Sequence, residues 1–307
     1  MKIALVLGSG GARGYAHIGV VRELESRGHE IVAVSGSSMG ALVGGLFVAE
    51  GLDDFEGFAR ELSRAAVLRY ADVAVHGPGL IRASKIIGVL EDMVGEVRIE
   101  QLRMPFTAVA ADLERRREVW MREGLLIPAI RASIAIPTIF TPVRLDGRLL
   151  VDGGVLNPLP IEPLLDVRAD LIVGVSLFGR SRLEGRSAPD HAASASASDR
   201  ARGLPRLPES LLQKLPTLTA PGLPGIPGLA GGEREPGEAP MTVAEMLSTA
   251  LDVMQGQIEL GRTSMNRPDV GVSVPTDVCE VYDFHEANRV IDVGRELAVK
   301  AFDAAGI

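Results

Sequence analysis

Twice within the first fifty residues a short apolar run stops at a glycine-rich turn and gives way to a helical pattern. This repetition constrains the fold more than any other feature. Residues 2–7, KIALVL, are apolar without alternation, which suits a strand buried on both faces of a parallel sheet. After the glycines at positions 8, 10 and 11, residues 15–27 place Ile18, Val21 and Leu24 at helical spacing until Gly28 ends the run. A second strand over 31–34 leads into GSSMG and a small-residue helix over 40–50, closed by Gly51. Strand and helix alternating at this pitch predict an α/β fold whose central sheet is mostly parallel, with right-handed crossovers.

The rest of the chain extends the pattern. Helices are expected over 54–68 and 84–94, two strands about a charged turn over 107–121, and a core strand over 171–177. From 180 to 240 the composition turns to Ser, Ala, Pro, Gly and charged residues, which reads as a low-complexity insertion or mobile loop within a single domain spanning 1–307. Its leucines, from Leu204 to Leu229, leave open a flap that touches membrane or micelle. Helical patterning returns at Thr242 with Met246, Leu247, Ala250, Val253 and Met254 on one face, and this piece is expected to pack onto the core. A last helix aligns Ala287, Val290, Ile291, Gly294, Leu297 and Ala301, and the CEVY run around Cys279 reads as a half-buried strand.

Composition narrows the classes. A hydrophobic content of 46% supports a sizeable core, and 32 Lys plus Arg against 40 Asp plus Glu, net −8, argues against a nucleic-acid partner. The single cysteine cannot form an intrachain disulfide. Residues 1–7 lack the long apolar region of a signal peptide, and no run approaches ~18 apolar residues. The expectation is a cytoplasmic protein, soluble or peripheral to a membrane.

LGSGGARG, residues 7–14, could hold a phosphate. The dinucleotide fingerprint counted from Gly8 needs glycine where Arg13 stands, and Val34 leads into Ser35, Gly36 and Ser37 rather than a ribose-binding carboxylate. A P-loop lacks its Gly-Lys-Ser/Thr. No nucleotide is expected. A glycine loop before a helix N-terminus still binds negative charge, including the oxyanion of acyl transfer. Gly36-Ser37-Ser38-Met39-Gly40 matches G-x-S-x-G between a strand and a helix, the setting in which Ser38 is a nucleophile and Gly36 and Gly40 make room for a sharp turn. Without that role it is a tight glycine turn. For the base, His17, His29, His76 and His191 sit in poor settings, and His285 is the one triad candidate in the order Ser, Asp, His. Asp152, in RLLVDGGVLNPLP, stands where a strand ends and two glycines free the backbone, at the edge where parallel-sheet sites gather. A carboxylate with a pKa of about 3.9 is a weak base for serine and needs burial to raise it. An Asp-Gly turn is the plain alternative.

Together these pieces resemble the bacterial branch of the patatin-like phospholipase family over residues 1 to about 178. Ser9-Gly10-Gly11-Ala12-Arg13-Gly14 is similar to its oxyanion loop, with serine in place of the usual first glycine, and Asp152-Gly153-Gly154 to its aspartate motif. Tyr15 to Val20, Arg131-Ala132-Ser133 and Pro137 are similar as well. The resemblance implies a three-layer patatin-like fold and a serine lipid acyl hydrolase in which Ser38 attacks an ester and Asp152 takes its proton. The N–H groups of Gly10, Gly11, Ala12 and Met39 would hold the oxyanion, and Arg13 would brace the loop or meet a lipid phosphate. Substrates would be phospholipid, lysophospholipid or another acyl ester, with no cofactor or metal. A histidine-dependent esterase, thioesterase or acyltransferase, or a non-catalytic lipid-binding protein retaining the fold, are the other readings.

Overall fold

The computed structural model describes residues 1–70, 79–180 and 243–307. Strand β1 (Lys2–Leu7) runs through a 3-10 turn into α1 (Ala16–Ser26), and β2 (Glu30–Ser37) passes directly into α2 (Met39–Val48). Then follow α3 (Leu52–Arg60), α4 (Arg64–Tyr70), β3 (Gly79–Ile81), α5 (Ser84–Val94), β4 (Phe106–Asp112), β5 (Arg117–Met121) and α6 (Leu126–Ser133). The remaining elements are β6 (Thr138–Phe140), β7 (Val143–Leu145), β8 (Arg148–Asp152), β9 (Leu171–Gly179), α7 (Val243–Met265), β10 (Val270–Pro275) and α8 (Ala287–Ala305). The main sheet has the order β10-β9-β1-β2-β4-β8-β7, with β5 also on β4; β3 and β6 form a separate parallel pair. The β10-β9, β9-β1, β1-β2 and β2-β4 pairings are parallel, while β5 and β8 run antiparallel to β4 and β7 antiparallel to β8. The fold is mixed α/β, a mostly parallel central sheet flanked by helices.

Strand β1 shows why its run has no alternation. Ile3, Leu5 and Leu7 enter the large core shared with α1, α2 and α8, whereas Ala4 and Val6 meet Ala33, Leu159, Ile161 and Leu164 on the opposite face. Burial on both faces removes the need for a polar side. Helix α8 lays Ala287, Val290, Ile291, Gly294, Ala298 and Phe302 into the core, one residue off the expected stripe at its far end.

Several expectations are corrected. The helix expected over 54–68 is two helices, broken at 61–63, where the Ser63 hydroxyl accepts the Ala66 N–H and starts α4 afresh. Cys279 is buried in a turn after β10 rather than in a strand. Helix α7 does pack onto the core, but by the other face: Met246, Leu247, Val253 and Met254 are exposed, and Gln255 and Glu259 are buried. Apart from Arg180, the 180–240 segment lies outside the described residues, as do His76 and His191.

Candidate active site

The passage from β2 to α2 turns on Ser38, whose φ of 56° and ψ of −124° place a side-chain-bearing residue in sparsely populated backbone space. The surroundings hold it there. Its N–H donates to the Ser133 hydroxyl at 2.9 Å, and that hydroxyl donates to the Val109 carbonyl of β4 at 2.6 Å. Its own carbonyl accepts the N–H groups of Ala41 and Leu42. The turn is tight enough that a Cβ on Gly40 would stand 2.0 Å from the Leu7 carbonyl oxygen, and one on Gly36 2.3 Å from that of Gly40.

Asp152 reaches the same place from the other direction. It ends β8, but β8 is antiparallel to β4, so Asp152 does not sit at the carboxyl edge of a parallel strand as expected. The register gives the actual reason: β2 and β8 flank β4, Ser37 pairing with Val109 and Asp152 with the next residue, Ala110, so Ser38, which follows Ser37, and the carboxylate come out at the same level on either side of β4. Asp152 Oδ1 accepts the Gly154 N–H at 2.7 Å, while Oδ2 is buried with no fixed partner. Burial pushes the carboxyl pKa up to about 7; the Ser38 hydroxyl and the Gly154 N–H, both favouring the charged form, pull the other way. Ser38, Asp152, Gly10 and Gly11 line one cavity with Leu251 and Gln255 of α7. The cavity is small, about 20 Å³.

The glycine loop closes the third side. The Gly8, Ser9 and Ala12 N–H groups donate to the carbonyls of Val175, Pro158 and Val281 at 3.0, 2.8 and 2.9 Å. Ala12 is therefore a correction to the expected donor set, because its N–H is already committed. The N–H groups of Gly10, Gly11 and Met39 have no acceptor among the described residues. Gly11 has φ 57°, and a Cβ there would stand 2.4 Å from the Val281 oxygen. Arg13 is 1% exposed; its Nε donates to the Gly10 carbonyl at 3.2 Å, its Nη2 pairs with Asp252 of α7, and its guanidinium lies 5.2 Å from the Phe178 ring centre. In a trans peptide C=O and N–H point opposite ways, so pinning the Gly10 oxygen directs the Gly11 N–H away from Arg13. The Ser9 hydroxyl donates to Gln255 at 3.1 Å, and Gly154 leaves it room, since a Cβ there would stand 2.6 Å from the same oxygen.

A family model described as Patatin-like phospholipase matches residues 5–165. The chain belongs to the patatin-like phospholipase family. An uncharacterized NTE family protein of Mycobacterium tuberculosis is 40% identical over 99% of this chain and 92% of its own length. Lysophospholipase NTE1 of Mycosarcoma maydis is 34% identical over 58% of this chain and 10% of that protein. Neuropathy target esterase sws of Drosophila melanogaster is 30% identical over 57% and 13%. Among solved structures, VipD from Legionella pneumophila is a distant likeness, with TM-score 0.45 and 13% identity over 99% of this chain and 67% of its own. Membership places the chain among lipid acyl hydrolases at the level of the family.

Within this patatin-like frame, none of the described histidines lines the cavity. His17 is buried with Nε2 2.8 Å from the Gly8 oxygen; burial pushes its pKa down to about 4, so the neutral ring donates there and steadies the base of the glycine loop. His285 accepts the Arg64 Nε hydrogen at 2.8 Å and neighbours Glu286 at the protein surface. Ser133, Asp252 and Gln255 escaped the sequence reading as functional positions, and so did Glu259, a buried carboxyl whose pKa burial raises to about 7 while Ser176 and Arg13 lower it. Among the described residues no group of three or more His, Cys, Asp or Glu could hold a metal ion, and no helix is long and apolar enough to cross a membrane.

Proposed function

We propose that the protein hydrolyses acyl esters of phospholipids, lysophospholipids or simpler lipids with Ser38 as nucleophile and Asp152 as its base. The observation that carries this reading is the buried, unpartnered Oδ2 of Asp152 in one small cavity with Ser38 and the uncommitted N–H groups of Gly10 and Gly11. A carboxyl with a pKa of about 7 is matched to proton transfer at neutral pH in a way that an exposed aspartate is not. Ser38 Oγ attacks the ester carbonyl as its proton passes to Asp152. The oxyanion forms against Gly10, Gly11 and Met39, the last at the positive end of α2. The tetrahedral intermediate expels the alcohol, which takes the proton from Asp152, and leaves an acyl-enzyme at Ser38. Water then attacks that ester, giving its proton to Asp152, and Ser38 recovers its own as the fatty acid departs.

The deciding experiment is mass-spectrometric analysis of lipid products from the wild type, Ser38→Ala and Asp152→Asn, paired with a soluble chromogenic ester. Free fatty acid from the wild type alone supports the dyad. Full turnover by either variant overturns it, and loss on His285→Ala alone moves the base to histidine.

A further inference from the structure

Helix α7 is inside out. Of its side chains from Met246 onward, the charged ones, Asp252, Glu259 and Arg262, face the protein. Asp252 pairs with Arg13, Glu259 is buried, and Arg262 bridges Glu118 and Glu162 at 3.0 and 2.8 Å. Most of the apolar ones face out: Met246, Leu247, Val253, Met254, Leu260 and Met265 are between 46% and 76% exposed, with Leu251 and Ile258 half-buried. A helix in water buries its apolar stripe and shows its charges, so the reverse arrangement marks a surface that meets something other than water. The exposed positions between Met246 and Met265 also include Thr249, Ala250, Gln257, Gly261 and Ser264, and not one charged residue.

We propose that this outer face of α7 docks on a lipid surface. Two observations favour that occupant, and the inference rests on the lipid hydrolase reading above. First, Leu251 and Gln255 on the inner side of the same helix line the cavity that holds Ser38, and Leu247 and Met254 stand one turn to either side of Leu251. A lipid layer against α7 lies where an ester must arrive, whereas a second protein copy seated there would lie across the approach. Secondly, the face carries no charge and the chain is net −8, so it offers nothing to an anionic headgroup and suits a neutral, zwitterionic layer entered by apolar side chains. Three methionines give it an adaptable surface, fitted to a fluid partner.

The test uses full-length Ser38→Ala protein, so that vesicles are not consumed, with and without Val253→Glu plus Leu260→Glu. Both positions are exposed and outside the catalytic machinery, so circular dichroism and melting temperature should match. We expect sedimentation with phosphatidylcholine vesicles that is insensitive to salt and at least about tenfold weaker in the double variant. In an otherwise wild-type background the double variant should keep its turnover of a soluble short-chain ester and lose turnover of vesicle lipid. A Met254→Gln variant gives an intermediate result. Equal vesicle binding by the variants, or none by the parent, overturns the proposal. A dimer in sedimentation equilibrium that Val253→Glu plus Leu260→Glu dissolves would show a second copy as the occupant and also overturn it. If vesicles bind but neither ester is cleaved, the hydrolase reading has failed and the docking surface has not.

Discussion

The first 48 residues and helix α7 reach the same cavity with opposite distributions of polarity. In the first, apolar side chains fill both faces of β1 and the polar atoms offered to the site are backbone N–H groups and one hydroxyl. In α7 the buried face carries a carboxylate for Arg13, an amide for Ser9 and the buried carboxyl of Glu259, while the methionines and leucines face outward. The first region could be built from hydropathy because its partners are neighbours in sequence. The second could not, because Asp252 and Gln255 face inward on account of partners about 240 residues away and Glu259 meets Ser176 of a distant strand, and a polar group turned inward is tolerated only with such partners.

The largest test of this division is chemical. Ser38→Ala and Asp152→Asn should each reduce ester turnover by more than about 10³-fold, measured with a soluble ester, while leaving α7 in place. Next comes pH. Activity should rise as Asp152 ionises, with a midpoint near its pKa of about 7. The stability effect has the opposite sense: a raised carboxyl pKa favours the protonated fold, so the advantage of Asp152→Asn over wild type should be small below pH 4, grow up to about pH 7 and then level off. Its ceiling is on the order of 4 kcal/mol, read by urea melts across that range.

Smaller effects probe the junction between the two regions. Arg13→Gln should cost about tenfold to a hundredfold in kcat, because the Gly10 carbonyl loses its anchor and the Gly11 N–H its direction. Asp252→Asn, whose side chain is 29% exposed, should cost less. Smallest is the Ser9 contact: Ser9→Ala, Gln255→Leu and the double variant should give a coupling of about 1 kcal/mol in a double-mutant cycle of stability. A coupling near zero would mean that α7 and the glycine loop are held together by Arg13 alone.

Most of the strand and helix order around the candidate site was legible in the residues. The unbroken KIALVL run, the glycine punctuation and the G-x-S-x-G turn each answer a local requirement, such as the 2.0 Å gap at Gly40. Asp152 was legible by its motif but not by its geometry, since nothing in RLLVD says that β8 runs antiparallel. Strands β3, β6 and β7 were missed because three-residue segments rely on tertiary pairing rather than pattern, whereas β10, six residues with largely alternating burial, was overlooked. The commitment of the Ala12 N–H to Val281 was out of reach for the same reason: the acceptor is a carbonyl in a turn near the other end of the chain.

The pairing of Arg13 with Asp252 spans 239 residues and ties the first loop of the chain to its last quarter. A chain emerging from the ribosome displays Ser38 early and Asp152 by its midpoint, yet its oxyanion loop stays without its carboxylate until α7 emerges. A fragment ending before residue 243 would carry Ser38, Asp152 and Arg13 but not Asp252, the carboxylate that pairs with Arg13. A helix made late in the chain is thereby the one that completes the charge pairing of the first loop.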